Sequence, residues 1–192
     1  DHRESRGLGD VYKRQDLVTA VLIRCQSTVL IPIINPEGSR LSHGQKEGGH
    51  LSVQAQLRII RAATEKNYRI MVGTTHLLMP WMARHCAWTI TRCRPKRTGM
   101  TAYHSLHGND YTGEVVPFSE VVNYKVFKYD GDELKPEWTK GVFVGKTEQA
   151  DEFILLTPKG ARTSRSVKRL GAAEAWARGF LASCIGAPWN IG

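Results

Sequence analysis

Apolar residues change their spacing three times along the chain. Over Asp16–Ile34, Val, Leu and Ile run almost continuously, the pattern of one or two buried strands. Residues 35–49 are polar and punctuated by Pro36, Gly38, Gly44, Gly48 and Gly49, which predicts a connection. From Leu51 the period is helical. Leu51, Ala55, Ile59 and Ala62 form a stripe that Val53, Leu57 and Ile60 widen, and the helix is expected to end near Lys66–Tyr68. A second helix is predicted over Thr75–Cys93, with Thr75 as N-cap and Pro80 near the first turn, where a missing N–H costs least. Leu78, Trp81, Met82, Cys86 and Ile90 share one of its faces. Arg94–Gly113 reads as a basic connection.

The period then becomes two. In Val115–Tyr129, Val121, Asn123, Lys125 and Phe127 alternate with Val122, Tyr124 and Val126, and Asp130-Gly131-Asp132 signals a turn. Lys140–Lys146, Glu152–Thr157 and Ala161–Lys168 predict further strands, the last two joined by a hairpin at Pro158-Lys159-Gly160. Four or five short strands suit a small antiparallel barrel over Val115–Leu170, with Phe143, Ile154 and Leu156 inside. A short helix is expected around Ala172–Phe180.

Charge narrows the partners. The 192 residues carry 27 Lys plus Arg against 18 Asp plus Glu, a formal net charge of +9. Such an excess favours a polyanion, most often nucleic acid. No run approaches the roughly 18 apolar residues of a membrane span, so no membrane partner is expected. Cys25, Cys86, Cys93 and Cys184 form no CxxC pair, which points to a reducing, intracellular compartment, cytoplasmic or nuclear. Ser5–Gln15 (SRGLGDVYKRQ) matches, codon by codon, a translated frame of a transposase-based sequencing adaptor. Asp1–Gln15 is therefore set outside the fold and expected to pack on nothing. It holds four basic and three acidic residues, so the remainder keeps a net +8.

Several stretches taken in order resemble the C-terminal part of copia-type retrotransposon integrase, a portion of a Pol polyprotein. Ser42–Glu47 (SHGQKE) is similar to the family's S-N-G-x-x-E, with His43 in place of Asn. Val53–Ile60 is similar to the helix that follows. His76–Arg92 resembles the H-P-x-x-x-W-x-x-x-H-A-x-x-x-x-x-R helix. Gly99–Tyr103, Tyr111 and Phe118-Ser119-Glu120 resemble G-x-T-P-Y followed by F-G-E. Trp138–Gly145, Asp151-Glu152, Arg165–Leu170 and Gly186-Ala187-Pro188-Trp189 complete the likeness, which spans Ser42–Trp189. The resemblance implies an α+β chain, the helical C-terminal portion of an RNase H-like integrase core followed by a small antiparallel Src-homology-3-like β-barrel. The implied divisions are 1–15 adaptor, 16–41 strands, 42–98 closing helices, 99–114 linker, 115–170 barrel and 171–192 tail.

Integrases of this kind join DNA ends by phosphoryl transfer, using Mg²⁺ ions held by two Asp and one Glu. By position Glu47 matches the third acid, as catalytic residue and metal ligand in the first turn of its helix. A Glu at a helix start is also stabilised by the helix dipole alone. The second acid would fall inside Asp1–Gln15 and the first further upstream; Glu37 is too close to serve. The expectation is a catalytically incomplete fragment that holds no Mg²⁺ itself. Active strand transfer is the alternative if upstream acids exist, and the intact enzyme would be a homo-oligomer.

Nucleic acid remains the expected partner, bound without sequence preference through two acid-free basic clusters. One contains Arg84, Arg92, Arg94, Lys96 and Arg97; the other contains Lys159, Arg162, Arg165, Lys168 and Arg169. On one continuous strand Arg162 and Lys168 would face one way and Arg165 the other. Either cluster could equally be a solvated face. Trp81, Trp88, Trp138 and Trp176 read as core residues before stacking platforms. His85, Cys86 and Cys93 lack zinc-finger spacing. A peptide-binding module is the remaining alternative; it needs an aromatic-lined groove, whereas Tyr124, Phe127, Tyr129 and Phe143 alternate with core positions and are expected to be mostly buried.

Overall fold

A computed structural model describes residues 40–126 and 137–191. The adaptor segment, the strands expected over Asp16–Ile34, and Phe127, Tyr129 and the Asp130-Gly131-Asp132 turn lie outside the described residues. The architecture is α+β. Helix α1 spans Arg40–Tyr68, α2 Leu78–Cys93, α3 Ala102–His107 and α4 Arg178–Ser183. Strands β1 (Val121–Lys125), β2 (Trp138–Lys146), β3 (Phe153–Thr157), β4 (Gly160–Ser164) and β5 (Val167–Arg169) form one antiparallel sheet in the order β4-β3-β2-β1-β5.

Helix α1 starts eleven residues before Leu51, passing through Gly44, Gly48 and Gly49. Each glycine costs about 1 kcal/mol relative to alanine, a penalty that cooperative propagation from the packed half can absorb. The buried stripe also differs from expectation. Val53, Leu57, Ile60, Thr64 and Tyr68 face the core, while Leu51 and Ile59 are 63% and 62% exposed. On α2, Leu78, Trp81, Met82 and Cys86 are fully buried as predicted. Its cap is not Thr75. The helix begins at Leu78, whose N–H donates to His76 Nδ1 at 3.2 Å.

The connection after α2 contains a helix that the apolar pattern does not reveal. Thr101 Oγ1 accepts the His104 N–H at 2.9 Å, and Gly108 closes α3 in the left-handed conformation at φ 77°. Six residues are too few to show a period, but the Thr and Gly caps are legible in the sequence.

Strands β1 and β2 pair from Val121↔Val142 to Lys125↔Trp138, and a bulge between Phe143 and Gly145 bends β2 against β3. The predicted hairpin forms, with Thr157 opposite Gly160 and Thr157 Oγ1 donating to Gly160 O. Phe143, Ile154 and Leu156 are buried. Two expectations fail. Ala161–Lys168 is not one strand. Ser164 Oγ donates to Ser166 O and to Lys125 O, breaking the chain into β4 and β5. The sheet is also not a closed barrel: β4 and β5 lie at opposite ends of the strand order with no ladder between them. In the tail, helix α4 lies later than the expected Ala172–Phe180.

Alternation divides the sheet between two apolar clusters. Val121, Val142, Val144, Ile154, Leu156 and Ala161 pack with α1, α2 and Leu181 of α4. Val116, Val122, Tyr124, Phe143, Phe153 and Leu155 form the cluster on the other face. Ser119 joins helix to sheet: Tyr68 Oη donates to its carbonyl, and Thr64 Oγ1 lies 3.3 Å from its hydroxyl. The tail closes over α2, where Trp81 Nε1 donates to Gly186 O at 3.2 Å. A side chain at Gly186 would put its Cβ 2.9 Å from Ala161 N, so only glycine fits.

Candidate nucleic-acid interface

Helix α2 ends at Cys93, and Pro95 and Gly99 shape the turn that follows. Lys96 N–H donates to Met100 O, Gly99 N–H donates to Lys96 O, and Pro95 pairs with Thr101 across the base. Arg94, Lys96 and Arg97 therefore share one tight, exposed turn. None forms an ion pair among the described residues. Cations here also complement the negative end of the α2 dipole, worth about 0.3–1 kcal/mol.

The two arginines earlier on α2 are placed differently. Arg84 is half-buried. Arg92 has its guanidinium 4.8 Å from the Trp88 ring centroid, 5.6 Å from Tyr103 and 5.8 Å from Tyr111, and it donates to Glu148 O at 3.3 Å. Those contacts hold α2 against the β2–β3 turn. Arg92 is thus half-buried among three rings while its guanidinium stays near the surface.

The second cluster is dispersed by the break between β4 and β5. Arg162 lies opposite Leu155, on the face of Tyr124 and Phe143. Lys168 lies opposite Asn123, on the other face, with its ammonium 4.1 Å from the Trp138 ring centroid. Arg162 and Lys168 thus face opposite ways, contrary to the single-strand expectation. Arg165 is paired with Glu152 at 3.1 Å. Arg169 grips Glu120 through two hydrogen bonds of 2.7 and 2.9 Å. Glu120 is 1% exposed, so this pair is an anchor for the β1–β5 edge. Arg162 and Lys168 stay exposed, and Lys159 sits at the β3–β4 hairpin tip.

Sequence reading missed a connected polar cluster. Lys146 Nζ reaches Asp151 Oδ2 at 2.7 Å and Tyr111 Oη at 2.9 Å, and lies 4.5 Å from the Phe153 ring centroid. Tyr111 Oη donates to Asp151 at 2.8 Å. Burial and the neighbouring Asp151 carboxylate hold the Tyr111 phenol well above its ordinary range. Next to this network His85 packs between Trp88, Phe118 and Phe143. Burial drops its pKa to about 4, so it is neutral at physiological pH.

Trp81 and Trp88 are core, as read; Trp138 is half-buried at an end of the sheet. Tyr124 and Phe143 are buried and line no open groove. Glu47 falls in the third turn of α1, not the first, because the helix starts at Arg40; its side chain lies outside what the structure describes. Among the described residues no three His, Cys, Asp or Glu side chains are grouped as a metal centre requires. Among the described residues no helix is long and apolar enough to cross a membrane. No family model, curated protein or solved structure matches the chain.

Proposed function

We propose that the chain is a piece of a copia-type retrotransposon integrase, the end of the core and the sheet unit that follows, which binds nucleic acid without sequence preference and does not transfer strands. The observation carrying the binding half is the Arg94–Arg97 turn, which presents three exposed cations with no acidic partner among the described residues. Lys159, Arg162 and Lys168 extend the set of exposed cations. The integrase half is supported by the order of the sequence motifs. The burial of Tyr124 and Phe143, expected from their alternation with core positions, gives the peptide-binding alternative no support.

Each phosphate neutralised releases counterion, giving a log–log salt slope of about −0.9 per contact on duplex DNA. Three to five contacts imply an affinity loss of roughly 50- to 500-fold between 50 and 200 mM salt. Replacing Arg94, Lys96 and Arg97 together by alanine should flatten the slope by about 2.7 and weaken all sequences alike. An unchanged slope would remove the turn from the interface. Mg²⁺-dependent end joining that disappears in Glu47→Gln would show that the chain is an active enzyme.

A further inference from the structure

A cleft of about 690 Å³ opens between the α1–α2 connection and α4, lined by none of the basic residues of the proposed interface. Its size is that of sites for small organic ligands. Arg69 and Arg178 stand in its lining with His76, and among the described residues no carboxylate lines it. Neither arginine has an ion pair among the described residues. The nearest acid in sequence, Glu65, is committed elsewhere: its Oε1 accepts from Arg61 Nε at 2.9 Å and from Val72 N at 2.8 Å.

Arg69 is placed at a conformational cost. It follows the last residue of α1 with φ 52°, a left-handed position that helices usually give to glycine or asparagine. The position stands beside the cleft, where a glycine would offer no guanidinium. His76 adds a third donor. Its Nδ1 accepts the Leu78 N–H, so the neutral ring carries its proton on Nε2. The rest of the lining is apolar, with Leu77 and buried Leu181 as wall and Met71, 80% exposed, at the rim.

We infer that this cleft binds a small amphipathic anion, an apolar body carrying one carboxylate or phosphate group. The charged groups in the lining are cationic and the imidazole donates, so an anionic group is matched and a cation repelled. The apolar wall takes the body of the ligand, which separates this site from a surface that tracks a phosphate backbone.

The test uses the whole chain and the fluorescent probe 8-anilinonaphthalene-1-sulfonate. Saturable binding of one probe per chain is expected, displaced by decanoate if the site prefers carboxylates or by adenosine monophosphate if it prefers phosphates. Arg69→Gly and Arg178→Gln should each weaken it at least tenfold. Glycine adopts φ 52° without strain, so Arg69→Gly should keep or raise the thermal midpoint, and its loss of binding would not be a loss of fold. Unchanged binding in both variants would overturn the site. So would equal affinity for the neutral N-phenyl-1-naphthylamine, or displacement by neither competitor. Displacement by a short DNA duplex alone would reassign the cleft to nucleic acid and likewise overturn the small-anion reading.

Discussion

Lys146 and Asp151 form an ion pair in which the two partners have opposite surroundings. The lysine side chain is 3% exposed, whereas the aspartate is 38% exposed. Asp151 also adopts φ 53°, a conformation asparagine tolerates well, so Asp151→Asn removes the charge with little backbone disturbance. Losing the partner of a buried ammonium is costly, and partial solvation of Asp151 reduces that cost to about 1–3 kcal/mol. Lys146→Met, which keeps volume and removes the charge, should cost less than Asp151→Asn. Urea denaturation of both variants and the double variant checks this; the double should be more stable than Asp151→Asn alone.

His85 makes stability depend on pH in a defined window. Its folded pKa of about 4 lies below the unfolded value of 6.5, so the unfolded chain binds the proton more readily. The contribution is fully present above pH 6.5 and is lost as pH falls towards 4. At pH 4.5 the loss should reach about 2–3 kcal/mol. Carboxylates also titrate in acid, so the measurement compares urea midpoints of the parent and His85→Leu at pH 7.5 and 4.5. The variant should lose less stability over that interval. Equal losses would show that the imidazole is already hydrated in the folded chain.

Arg169 and the Arg94–Arg97 turn should separate cleanly in experiment. Arg169→Ala leaves the Glu120 carboxylate buried without its bidentate partner, costing about 2–4 kcal/mol, while barely moving the salt slope of DNA binding. Triple alanine substitution at Arg94, Lys96 and Arg97 should do the reverse. A stable Arg169→Ala variant with a flattened slope would move Arg169 back into the interface.

The sequence carried what periodicity and turn chemistry encode. Trp81, Met82 and Cys86 share a helical face, and Thr157–Gly160 is a hairpin, because those signals are local. The buried face of α1 was misjudged because apolar residues occupy both sides of that helix. Which side is covered depends on Ser119 and the sheet, far along the chain. The two basic clusters look alike in sequence. They differ only after folding, when Glu152 and Glu120 neutralise Arg165 and Arg169, and three rings enclose Arg92. The acids responsible lie 13 residues from Arg165 and 49 from Arg169, and Arg92 reaches 56 residues on to the Glu148 carbonyl. Closure of the sheet was equally out of reach, since it turns on Ser164 and Ser166.

The bond from the Trp81 indole to Gly186 joins residues 105 positions apart. Closing so long a loop costs an unfolded chain about 4 kcal/mol of entropy by the logarithmic scaling of loop length. Helix α2 and the hairpins can form from near neighbours, and the tail meets the β3–β4 hairpin over the shorter loops closed by Thr157–Ile185 and Ala161–Ile191, but its bond to α2 needs the long intervening segment to have shortened the path. Closure of the tail onto α2 is therefore expected to follow its docking on the hairpin, and the cleft that α4 helps to line is expected to be completed late in folding.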